Sequence, residues 1–302
     1  MKKDFLALND FSKEELLAFV DRAVELKALR KKGVVHQPLK GKTLGMIFNK
    51  PSTRTRISFE VGMVDLGGHP IFLTGEQLQL NRGETLADSA RVLSRYLDGI
   101  LIRTFDFEEA TELARHASIP VINGLTDLNH PVQVLSDILT IKEKFGHVEG
   151  IKVAFVGDGN NVAYSWIAAA SILGIHLTVA SPSDYQPRKP KKMGKAGKIE
   201  MMEDPVKAVK DADIIYTDVW VSMGQEKETR KKIKKLKPYQ INNKLVKAAK
   251  KNVLVMHCLP AHREEEITSE VLDGKHCIVL DQAENRLHLQ KAILEKLISP
   301  KR

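Results

Sequence analysis

Short apolar runs alternate with amphipathic stretches along most of the 302-residue chain. The first amphipathic stretch, residues 11–32, sets Leu16, Phe19, Val20, Ala23, Val24 and Leu26 at helical spacing, and Ser12 with Glu15 forms a capping box at its start. Gly33 ends it. An apolar run from Thr43 to Asn49 reads as a buried strand, and Ile57, Val61 and Val64 give the next segment, to Leu66, a helical period. Gly67-Gly68 stops that helix. A strand over His69–Thr74, a helix carrying Leu86, Ala90, Leu93 and Leu97, a strand over Gly99–Ile102, a helix over Phe107–Ser118 and a strand over Pro120–Asn123 follow. Short strands separated by amphipathic helices predict a parallel sheet of the α/β class.

The pattern then restarts. A helix over Pro131–Phe145 leads to a strong strand, Ile151–Val156, and a helix over 162–173. Further strands are expected at His176–Ala180, Asp213–Thr217, Asn252–Met256 and Cys277–Leu280, with helices between them. Residues 182–204 are rich in Pro, Lys and Gly and are expected to form a surface loop, and Glu284–Ile298 reads as a closing helix. The expected fold is therefore α/β with two domains, each a parallel β-sheet flanked by helices, joined by linking helices. The halves share this architecture without a sequence repeat.

Composition narrows the class. With 43% hydrophobic and 28% charged residues the chain has the balance of a soluble globular protein. No apolar run approaches the ~18 residues of a membrane helix. Asp10, Lys13, Glu14 and Glu15 follow the start too soon for a signal peptide, so a cytoplasmic location is expected. Cys258 and Cys277 are too few for a disulfide framework, and neither has the spacing of a metal site. The net charge of +9 arises wholly in the second half, in clusters at 188–192, 230–237 and 247–251. No aromatics interleave with these clusters, which favours solvated faces over a nucleic-acid surface.

Candidate chemistry gathers at strand ends, where parallel sheets bind ligands. Asn49-Lys50-Pro51-Ser52-Thr53-Arg54-Thr55-Arg56 spans a strand-to-helix turn. A helix start offers free N–H groups and a positive dipole end, and hydroxyls with an arginine fork suit phosphate oxygens. Capping explains Ser52 alone; it does not explain arginines where the dipole disfavours cations. Arg103 ends the third strand, His130 and Gln133 follow the fourth, Asp158–Asn161 follow the strand at 151, Asp218–Gly224 the strand at 213, and His257-Cys258-Leu259-Pro260 the strand at 252. Gly157-Asp158-Gly159 invites a dinucleotide reading, but the fingerprint needs glycine at 162, where Val162 stands. Cys258 invites a nucleophile reading, but adjacent residues leaving a strand point to opposite faces, so His257 is poorly placed as its base.

These motifs together resemble the aspartate/ornithine carbamoyltransferase family. Pro-Ser-Thr-Arg-Thr-Arg (51–56), Arg103-Thr104 and His130-Pro131-Val132-Gln133 are similar to its carbamoyl-phosphate motifs. Asp218-Val219-Trp220-Val221-Ser222-Met223-Gly224, His257-Cys258-Leu259-Pro260 and Glu284-Asn285-Arg286 resemble its ornithine-using branch. The resemblance covers nearly the whole chain; the Lys-rich stretch 186–198 is its one unusual feature.

The resemblance implies a carbamoyl-phosphate domain at 1–130, with 284–302 packing back on it, and an ornithine domain at 131–283. It implies transfer of the carbamoyl group of carbamoyl phosphate to the δ-amine of L-ornithine, giving L-citrulline and phosphate, with neither metal nor other cofactor. Arg54, Arg103, His130, Cys258 and Asp218 would be catalytic. Ser52, Thr53, Arg54, Thr55, Arg103, His130, Gln133, Cys258, Leu259 and Arg286 would hold carbamoyl phosphate, and Asn161, Asp218, Ser222 and Met223 would hold ornithine. A homotrimer is implied, with Gln79 reaching a neighbour's site and a higher assembly of trimers left open. Neither nucleic acid nor membrane is an expected partner. The rival readings are a related transferase using putrescine or an N-acylated ornithine, and a basic regulatory protein that binds nucleic acid. The Ser-Met-Gly stretch argues against putrescine, which has no α-carboxylate to bind.

Overall fold

The computed structural model describes residues 3–75, 83–221 and 229–299. The chain divides into two compact units, residues 1–139 with 284–302, and residues 140–283. Both divisions fall inside helices, at Leu139/Thr140, nine residues beyond the boundary at 130 that the resemblance implies, and at Ala283/Glu284.

The first unit opens with α1 (Lys13–Lys31), whose Ser12 and Glu15 form the expected reciprocal capping box. It continues through β1 (Thr43–Phe48), α2 (Thr53–Asp65), β2 (His69–Thr74), α3 (Leu86–Tyr96), β3 (Gly99–Arg103), α4 (Phe107–His116), β4 (Val121–Leu125) and the start of α5 (Pro131–Phe145). The strands are parallel in the order β2-β1-β3-β4. β1, β3 and β4 are buried almost throughout, which is why they read as continuous apolar runs, whereas the edge strand β2 is half-exposed. The chain adds β2 on one side of β1 and β3 on the other. The switch in strand order thus opens at the carboxyl ends of β1 and β3, where Asn49–Thr55 and Arg103 lie.

The second unit holds β5 (Lys152–Val156), α6 (Asn161–Leu173), β6 (His176–Ala180), β7 (Lys198–Met202), α7 (Pro205–Val209), β8 (Ile214–Thr217), α8 (Thr229–Leu236), α9 (Asn243–Ala248), β9 (Leu254–His257) and α10 (Ser269–Leu272). Its strands are parallel in the order β7-β6-β5-β8-β9, so the switch falls between β5 and β8. The loops leaving those two strands carry Asp158–Asn161 and Asp218. A core of Val156, Ile215, Trp220, Val253, Val255 and Ile267, among others, packs under them.

Two expectations fail here. Part of the stretch expected to be loop is the edge strand β7, which pairs with β6 along its length. Lys198 and Glu200 face solvent on this edge, so its sequence lacks the apolar run of a central strand. The strand expected at Cys277–Leu280 is not one. Cys277 makes a single bridge to Val255, and α11 (Val279–Ile298) begins two residues later. A four-residue apolar run is compatible with either outcome.

Candidate active site

In the first unit the anion loop is built as a helix start. Ser52 caps α2, its hydroxyl accepting the Thr55 N–H at 3.2 Å. Thr55 is buried, Arg54 and Ser52 are half-buried and Thr53 is exposed. Arg56 turns away: its Nε donates to Glu60 at 2.9 Å and its guanidinium lies 3.7 Å from the Phe72 ring centre.

Arg286, two residues into the first-unit part of α11, reaches the same loop from a distant point in sequence. Its Nη2 donates to Thr55 Oγ1 at 2.9 Å and its Nη1 to Gln133 Oε1. The Gln133 amide in turn donates to the buried Asp137 carboxylate at 2.8 Å, which fixes the amide with its oxygen toward Arg286. Thr55, Gln133, Arg286 and Asp137 thus form one buried chain of hydrogen bonds.

His130 sits at the start of α5, its carbonyl accepting from Gln133 and Val134. It is buried, and burial first, then the charges of Arg286, Arg103 and Arg54, hold its imidazole well below the ordinary histidine range. A neutral imidazole among cations can donate one N–H to an oxygen without adding a charge to the resting site. Arg103 is buried at the end of β3, where the pairing with β4 shifts register between Ile102 and Arg103. The first unit therefore brings together Ser52, Arg54, Thr55, Arg103, His130, Gln133 and Arg286.

In the second unit the Cys258 thiol donates to Asp218 Oδ1 at 2.7 Å, and the Asn160 amide donates to Asp218 Oδ2 at 2.6 Å. Asn160 also caps α6, its Oδ1 accepting from Val162 and Ala163. Asn161 is the first residue of α6 and is half-buried. Two residues before Asn160, Asp158 pairs with Lys232 of α8 at 2.7 Å, both nearly buried. Burial pushes the Asp158 carboxyl up to about 6 against the pull of Lys232, with Asp218 adding to the rise.

Both ring nitrogens of His257 bond to partners other than the Cys258 thiol. Its Nδ1 accepts the Leu259 N–H at 2.8 Å and its Nε2 lies 2.9 Å from Glu266 Oε1. These partners assign the proton to Nε2 and fix the turn after β9, where Leu259 holds a φ of 55°. Asp218, His257 and Cys258 present possible ligand atoms within 4.8 Å of one another, but each is already engaged in the hydrogen bonds just given.

Gln79, Ser222 and Met223 lie outside the described residues. Asn160 falls in the candidate stretch Asp158–Asn161, and an asparagine directly before a helical run is a cap signal; Lys232, Asp137 and Glu266 were given no role from sequence. Lys232 pairs with a residue 74 positions away, Asp137 with one inside its own buried helix, and Glu266 with His257 and the His262 N–H across a turn.

Comparison with known proteins agrees with this division of chemistry. Residues 3–143 match the family model described as aspartate/ornithine carbamoyltransferase, carbamoyl-P binding domain, and residues 149–297 match the one described as its Asp/Orn binding domain. The chain is 56% identical to the ornithine carbamoyltransferase of Syntrophus aciditrophicus, over 99% of this chain and 100% of that one. It is 52% identical to the anabolic ornithine carbamoyltransferase of Pyrococcus furiosus, over 97% and 95% of the two chains. The solved structure of ornithine carbamoyltransferase from Pyrococcus furiosus superposes with a TM-score of 0.95 at 50% identity, covering 100% of this chain and 98% of that one.

Proposed function

The chain belongs to the aspartate/ornithine carbamoyltransferase family, and we propose that it transfers the carbamoyl group of carbamoyl phosphate to the δ-amine of L-ornithine, releasing L-citrulline and phosphate. Relatives and solved structures named ornithine carbamoyltransferase support the choice of substrate along the full chain. The observation that carries it is Asp218: a buried carboxylate directly after β8, bound by the Cys258 thiol and the Asn160 amide. Such a group attracts a cationic amine and repels an acidic side chain.

In this reading the α2 start, with Ser52, Thr53, Arg54 and Thr55, binds the phosphate together with Arg103 and Gln133. Arg54, Arg103 and the neutral His130 donate to the carbonyl oxygen as charge builds there. Arg286 fixes Thr55 and Gln133 and, with Cys258 and Leu259, completes the carbamoyl-phosphate set. Asn161, Ser222 and Met223 bind the α-amino and α-carboxylate groups of ornithine, and Asp218 with Cys258 orients the side-chain amine. The neutral amine forms the C–N bond, the oxyanion collapses, and the C–O bond to phosphate breaks. The reaction itself supplies a base for the amine's proton, the departing phosphate.

The proposal extends to a homotrimer in which Gln79 serves a neighbouring copy's site, and to arginine biosynthesis in the cytoplasm. The name of the anabolic Pyrococcus furiosus relative supports the biosynthetic role. No helix among the described residues is long and apolar enough to cross a membrane. Citrulline formation, measured in parallel with ornithine, putrescine, aspartate and N-acetylornithine, tests the reading. Ornithine is expected to be preferred by a wide margin; equal or faster carbamoylation of any other acceptor overturns it. Sedimentation of the purified protein tests the trimer.

A further inference from the structure

The loops that carry Ser52–Thr55, Arg103 and His130 meet at one buried cation, Lys50. The residue is 4% exposed, although it lies in a strand-to-helix loop two positions before the cap of α2. Its ammonium forms an ion pair with Asp127, in the loop between β4 and α5, and lies 4.4 Å from the ring centre of Phe105, in the loop between β3 and α4. The same three loops are tied through the backbone. Asp127 N–H donates to Phe105 O at 2.8 Å, Thr104 N–H to Leu125 O at 3.1 Å and Asn49 N–H to Arg103 O at 2.8 Å. The Asn49 amide adds bonds to Thr104 Oγ1 at 3.0 Å and Glu109 at 3.3 Å.

We infer that Lys50 is a positioning residue for carbamoyl-phosphate binding: it clamps the three anion-site loops to one another through Asp127 and Phe105. Its charge is held by a carboxylate and an aromatic face, so it acts through the loops. An ion pair with an exposed carboxylate alone is weak. Here the ammonium is nearly buried and backed by a ring, a setting in which cation–π attraction is strongest. Misplacing Arg54, Arg103 or His130 by a fraction of an ångström weakens every contact to a dianion that all three touch. The inference rests on the proposed function for the identity of the ligand.

Lys50→Met keeps the apolar stem and removes the charge. The expected result is a carbamoyl-phosphate KM raised about tenfold, equivalent to about 1.4 kcal/mol, with kcat lowered because the misplaced groups also meet the developing oxyanion and the ornithine KM at saturating carbamoyl phosphate unchanged. Lys50→Arg should recover most of the loss. Combining Lys50→Met with Asp127→Asn should cost no more than Lys50→Met alone, because the two act as one unit. Thermal stabilisation by inorganic phosphate should shrink in parallel. Phe105→Leu carries the same test, with a smaller rise in carbamoyl-phosphate KM, should Lys50→Met fail to fold. A Lys50→Met enzyme with unchanged carbamoyl-phosphate KM, equal losses for both substrates, or additive double-variant losses overturns the clamp. A wild-type protein that makes no citrulline overturns the proposed function instead, and the phosphate stabilisation then tests the clamp by itself.

Discussion

The Cys258 thiol donates a hydrogen bond to Asp218 Oδ1 at 2.7 Å, across the ends of two neighbouring parallel strands, β9 and β8. The two residues are 40 positions apart in sequence. The other oxygen of Asp218 is taken by Asn160. Both oxygens are thus engaged and the carboxylate is held in one orientation; in the proposed mechanism an incoming amine shares or replaces these contacts.

Asp218→Asn removes the charge while keeping the shape. It should raise the ornithine KM and lower kcat, with carbamoyl-phosphate binding nearly intact. Wild-type activity should climb toward alkaline pH, because an alkylamine of pKa near ~10.4 reacts only in its neutral form. Steady-state kinetics of both proteins across pH checks this; ornithine kinetics unchanged in Asp218→Asn would remove Asp218 from the mechanism.

Cys258→Ser replaces the thiol donor with a hydroxyl donor to the same carboxylate. Measurable activity should survive with weaker ornithine binding, since in the proposed mechanism the thiol orients and does not attack. Mass spectrometry of enzyme quenched with carbamoyl phosphate alone should find no added mass; a carbamoyl adduct on Cys258 contradicts this role.

Arg54→Lys keeps the charge of the anion loop and loses its planar fork. Turnover should fall by at least ~100-fold, the scale of losing one oxyanion donor. Near-normal turnover with unaltered carbamoyl-phosphate affinity would falsify the assignment.

The depressed affinity of His130 for a proton makes a stability prediction. The folded protein keeps this imidazole neutral where the unfolded chain protonates it, around the ordinary value of 6.5. Below that pH the unfolded state binds more protons, so stability present above 6.5 is lost as pH falls toward the lower folded value. Each unit of pH in that window costs about 1.4 kcal/mol for one such group. His288, also held low chiefly by burial, acts in the same direction. His130→Asn should lose part of the acid sensitivity seen in wild type. Denaturant unfolding at pH 7.5 and 5.5 measures the difference; an unchanged pH dependence in the variant argues that His130 is accessible to protons.

Sequence alone determined whatever depends on neighbours along the chain. The capping box at Ser12 and Glu15, the central strands and the Ser52–Thr55 helix start are local, because a cap bonds its own first turn and a central strand must be apolar on both faces. Contiguity also kept the loops after β1, β4, β5, β8 and β9 readable as strand-end chemistry. Tertiary structure decided what depends on partners brought together by packing. Nothing in the local pattern says that Arg286 grips Thr55 and Gln133, that Asn160 binds Asp218, or that Arg56 is spent on Glu60 and Phe72. The same holds for the two misread segments. Lys198–Met202 becomes a strand because β6 offers an open edge, and Cys277–Leu280 stops at one bridge before α11 begins. Backbone donors in such short stretches take whichever acceptors the surrounding fold presents, and that choice is made by the packed sheet and not by the five or so residues themselves.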